Sequence, residues 1–72
     1  MKFSIMDRTG HTEELHVTDT KMDLDQAMAR FDEIMGQGHI AARKDEGGSH
    51  TVIKKFDPTA AEILFVPKLQ GG

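Results

Sequence analysis

The constraint that most narrows the fold is the run Ile63-Leu64-Phe65-Val66, four consecutive apolar residues with no polar alternation, set between a proline-broken loop and Pro67. A strand with one wet face alternates with period two, so an unbroken apolar run of strand length predicts a strand covered on both faces, in the middle of a sheet. The chain has only 72 residues, and at this size about 60% of the unfolded surface is buried, enough for one core and no second domain. The other elements must therefore be arranged around this strand. The composition allows that arrangement, with 38% hydrophobic and 29% charged residues, close to globular averages and far from the disordered regime.

The rest of the chain supplies partners for a central strand. Phe3 and Ile5 fall on one face of an opening strand over residues 2–7, Asp7-Arg8-Thr9-Gly10 makes a turn, and Glu13, Leu15 and Val17 alternate with Thr12, Glu14 and His16. This predicts a β-hairpin. After a polar linker over 18–22 the period changes to 3.6, with Leu24, Ala27, Met28, Phe31, Ile34 and Met35 on one stripe. This spacing predicts an amphipathic helix, capped by Asp23 with Gln26 completing a capping box and stopped by Gly36 and Gly38. Met28 and Met35, at helical spacing beside Leu24 and Phe31, read as core filler.

A second hairpin is predicted from His39–Lys44 and His50–Phe56 around the loop Asp45-Glu46-Gly47-Gly48-Ser49. The paired glycines are not a phosphate cradle, because a strand pattern rather than a helix N-terminus comes after them. Asp57-Pro58-Thr59 ends the strand. The predicted fold class is α+β, with a mixed sheet of four to five strands packed on one helix in the order ββαβββ, the β-grasp arrangement. A plain antiparallel sheet with one helix is the alternative. The predicted organisation is one domain over residues 1–67 and a C-terminal tail over 68–72.

Chemistry is sparse along this body. The four histidines are not spaced to converge on one ion, so no metal is predicted. There is no cysteine, hence no thiol nucleophile and no disulfide, which fits a reducing, cytoplasmic setting. Ser4 and Ser49 lie in no nucleophile context, and the paired carboxylates read as solvated surface. No catalytic residue and no cofactor are predicted, so the chain is not read as an enzyme. The net charge of −3, from 12 acidic and 9 basic residues scattered along the chain, gives no basic footprint for nucleic acid. The apolar start meets Asp7 too early for a membrane span.

The tail differs. Beyond Pro67 the chain reads Lys68-Leu69-Gln70-Gly71-Gly72, and terminal residues without a Cβ can thread a channel that any side chain would block. The stretch Glu62-Ile63-Leu64-Phe65-Val66-Pro67-Lys68-Leu69-Gln70-Gly71-Gly72 resembles the C-terminus of the molybdopterin synthase small subunit and related sulfur carriers. Leu69-Gln70-Gly71-Gly72 also resembles the ending of ubiquitin. Both belong to the ubiquitin-like β-grasp superfamily.

The resemblance implies a protein whose Gly72 carboxylate is adenylated by an ATP-dependent activating enzyme, then converted to a thiocarboxylate or conjugated. Gly71 would provide clearance, and Lys68, Leu69 and Gln70 with the exposed sheet face would dock the partner. In that reading the protein is a monomer when isolated, and the chemistry belongs to its partner. The competing expectation is a small non-catalytic interaction module, such as an accessory protein of a bacterial or phage operon, with an inert tail.

Overall fold

The structure is a computed structural model that describes residues 1–18 and 20–68. Among these residues the chain forms β1 (Lys2–Met6), β2 (Thr12–His16), α1 (Lys21–Gly36), β3 (His39–Lys44), β4 (His50–Ile53) and β5 (Glu62–Pro67). The strands make one five-stranded mixed sheet in the order β2-β1-β5-β3-β4, with α1 packed on one face.

The last strand is central, as the apolar run predicts. β5 pairs in parallel with β1, from Lys2↔Glu62 to Ile5↔Phe65, and antiparallel with β3, from His39↔Pro67 to Arg43↔Ile63. The expected cover on both faces is not found. Ile63 and Phe65 are fully buried beneath the helix, whereas Leu64 and Val66 are half-buried on the opposite face. One helix cannot cover both sides of a sheet, so flanking side chains of neighbouring strands shelter that second face only in part.

Residues paired across strands share a face, so the helix side of the sheet carries Phe3, Ile63, Phe65 and Ala41, all buried with Ala27, Phe31 and Ile34 of α1. The small side chains of Ala27 and Ala41 let the helix approach β3 closely. All four phenylalanines of the chain meet edge to face, with ring centroids 5.1 Å apart for Phe3–Phe65, 5.6 Å for Phe31–Phe65, 5.9 Å for Phe31–Phe56 and 6.3 Å for Phe3–Phe56. Each such pair adds about 0.5–1.5 kcal/mol beyond the area it buries.

Three local expectations are corrected. The helix begins earlier than predicted: Thr20 is the N-cap, its hydroxyl accepting from the Asp23 amide at 3.3 Å, and Asp23 sits within the first turn. Thr18 donates to the Asp23 carboxylate, so Asp23 is occupied by the capping residues rather than capping the helix itself. Met28 is 48% exposed and is not core filler, because its position lies at the margin of the stripe that faces the sheet; Met35 does pack against the core. Finally, β4 ends at Ile53, and the chain bends at Lys54-Lys55. The bend turns Phe56 inward to complete the aromatic ring instead of extending the strand.

Candidate functional site

The sequence points to the tail as the site, and the body ends in a tightly defined root for it. Leu69, Gln70, Gly71 and Gly72 lie outside the described residues, so the structure places Lys68 alone of the five tail positions. Lys68 is exposed, and its amide donates to the Gly38 carbonyl at 2.9 Å. Gly38 has φ +91°, a left-handed conformation that glycine adopts without the Cβ penalty. The tail thus leaves the body beside the end of α1 and the start of β3.

Pro67 shapes this root by what it lacks. The parallel β1–β5 ladder begins with the Lys2 amide donating to the Ala61 carbonyl at 2.9 Å, which turns the backbone groups of Lys2, Ser4 and Met6 toward β5. By that alternation the Met6 carbonyl would receive the amide of residue 67, but proline has none. His39, paired with Pro67 on the far side of β5, places its Nε2 3.2 Å from the Met6 carbonyl oxygen. A carbonyl can only accept, so Nε2 carries the proton. The imidazole thereby replaces the missing ladder donor and ties β1 to β3 across the C-terminal end of β5. His39 Nδ1 is buried without a hydrogen-bond partner among the described residues.

The β1–β2 turn borders the same root. The Asp7 Oδ1 accepts from the Thr9 amide at 2.9 Å, the Thr9 hydroxyl at 2.7 Å and the His11 amide at 3.0 Å. The Thr9 hydroxyl bond first, together with the amide bonds of Thr9 and His11 and the nearby His11 ring, holds the Asp7 carboxyl below its ordinary value. This self-contained turn leaves a shallow open depression floored by Met6, Val66 and Pro67, with Arg8 and Lys68 at its rim. It is continuous with the open sheet face, where Leu64, Val66, Ile40 and Ala42 are half-buried and Val52 is 64% exposed.

At the opposite end of β5, Arg43 bridges Asp45 and Asp57 at 3.0 Å each. Asp57 also accepts from the Thr59 amide at 2.9 Å and hydroxyl at 2.6 Å. Those Thr59 bonds, with Arg43, hold the Asp57 carboxyl below its ordinary value, while Asp57 foremost and Asp45 raise the Arg43 guanidinium further. Arg43 Nε and Nη1 thus join the β3–β4 turn to the loop entering β5, and the network acts as a clasp on that loop.

The structure does not gather the four histidines of the sequence. His11 lies in the first turn, His16 on β2, His39 at the tail root and His50 on β4, and no group of three or more His, Asp or Glu side chains is placed to hold a metal among the described residues. No helix among them is long and apolar enough to cross a membrane. Sequence reading missed His39 as the stand-in donor. A signal existed only in combination, a proline inside an apolar strand run and a polar residue opening another strand, and pairing the two requires the register. Comparison with known proteins returns no match to any family model, curated protein or solved structure.

Proposed function

We propose that the chain is a ubiquitin-like or sulfur-carrier-like protein of the β-grasp type whose Gly72 carboxylate is activated by an ATP-dependent adenylating partner. The observation that carries this reading is the placement of β5: the strand that leads into the diglycine ending is clamped between β1 and β3, and its exit is fixed by the Lys68–Gly38 bond and the His39 bridge. A handle is useful to a partner enzyme when its root is rigid, because the reach of the terminal carboxylate is then set. The sheet order β2-β1-β5-β3-β4 with parallel β1 and β5 is compatible with the β-grasp arrangement and supports that finer fold assignment.

Activation would proceed by attack of the Gly72 carboxylate oxygen on the α-phosphorus of ATP, releasing pyrophosphate and leaving an acyl adenylate. A sulfur donor or a partner thiol would then displace AMP. Gly71 provides clearance, and Lys68, Leu69 and Gln70 guide the tail into the partner, which binds the open sheet face and supplies the catalytic groups. The exposed apolar character of that face also favours a second reading, a plain interaction module with an inert tail. Deletion of Gly72 separates the two: the first reading expects loss of adenylation with an unchanged melting temperature and intact partner binding. An unimpaired Gly72 deletion, with function lost instead on substitution of Leu64 or Val66, would select the interaction module.

A further inference from the structure

We infer that the β4 edge is a self-association surface, on which a second copy of this chain adds antiparallel to β4 and joins the two sheets. β4 is the outer strand on its side of the sheet, and the hairpin register decides which of its groups are free. The Asp45 amide donates to the Ser49 carbonyl at 2.7 Å, which sets Arg43/Thr51 and Ala41/Ile53 as the hydrogen-bonded pairs in the register Ala41↔Ile53 to Lys44↔His50. The backbone groups of His50 and Val52 therefore point away from β3, and those of Val52, at the middle of the strand, are open to an incoming strand.

Three features select a second copy as the occupant. No charged side chain lies within β4, His50-Thr51-Val52-Ile53, whereas the other edge, β2, carries Glu13 and Glu14 as natural edges commonly do to block pairing. Val52, 64% exposed, continues the row Ser4–Leu64–Ala42–Val52 of the open face; with the two-fold axis at Val52, the Val52 side chains of both copies meet and the row runs unbroken across the joint. The charges also match under that symmetry. The chain enters β4 from Asp45-Glu46 and leaves it through Lys54-Lys55, so antiparallel pairing brings the lysines of each copy to the acidic loop of the other. Among the described residues neither lysine nor Glu46 has an ion-pair partner of its own. This surface is independent of the tail.

The test uses the full chain, which contains no cysteine. Val52→Cys should form a symmetric disulfide under mild oxidation much faster than Glu14→Cys on the β2 edge, because directly opposed residues of an antiparallel pair meet disulfide geometry. Sedimentation equilibrium into the millimolar range should show a dimer that salt weakens and that Val52→Lys weakens by about tenfold or more. Glu46→Lys alone and the Lys54→Glu, Lys55→Glu pair should each weaken it, and the three changes together should restore it. Unchanged melting temperatures exclude misfolding. A monomer at every concentration, equal cross-linking at both edges, or a dimer indifferent to Val52→Lys would overturn the inference.

Discussion

His39 and Pro67 make a coupled pair at the residue scale, because the imidazole supplies the donor that proline removes from the ladder. His39→Leu should cost about 1 kcal/mol by leaving the Met6 carbonyl unpaired. Pro67→Ala restores an amide at the position the ladder requires, so the double variant should be more stable than the sum of the single effects, with a coupling of about 0.5 kcal/mol or more in thermal or denaturant unfolding. Additive effects would contradict the assignment. Asp57 gives a pH signature. Its carboxyl is held below its ordinary value of 3.8 in the folded state, chiefly by Thr59, so its contribution is complete above the unfolded value and is lost as pH falls through the folded one. Melting temperature should therefore fall on acidification from about pH 4 downward, and less steeply in Asp57→Asn.

At the scale of elements, each segment is held by what it buries and by how it starts. Thr20→Ala should cost about 1 kcal/mol, because the Asp23 amide loses its acceptor, whereas Gln26→Ala, at the other end of the capping box expected from sequence, should be near neutral. Phe65→Ala, in the middle of the aromatic ring, should cost about 3–5 kcal/mol, enough to threaten a domain of this size. Leu64→Ser, one residue away on the open face, should be tolerated far better. That contrast explains which parts of the fold were legible. Ile63 to Val66 announced a central strand because apolar side chains are needed on the helix side and are sheltered by neighbours on the other. Hydropathy alone does not distinguish burial under a helix from partial shelter within a sheet, so the run looked doubly covered. Thr20 was hidden behind Asp23 because both are good caps, and the choice depended on where the chain left β2. Phe56 lies within the strand run His50–Phe56 read from sequence and departs from the strand in space, because the bend at Lys54-Lys55 turns it into the core.

For the whole molecule, the body ends in a strand paired on both sides, and the proposed activity lies in the tail beyond that strand. The root of the tail became legible only once the register showed Pro67 facing His39 and Lys68 bonded to Gly38; Leu69 to Gly72 lie outside the described residues, and the chemistry proposed for them rests on residue type, two terminal glycines offering clearance that bulkier residues do not. We propose the Gly72 carboxylate as the reacting group. Intact-mass and peptide mass spectrometry of the protein recovered from its native host tests this most directly. A reacting Gly72 carboxylate leaves a fraction of the chain carrying sulfur in place of oxygen at Gly72, or joined through Gly72 to a lysine of another protein. A Gly72 carboxylate found only in its free, unmodified form under every growth condition would contradict it.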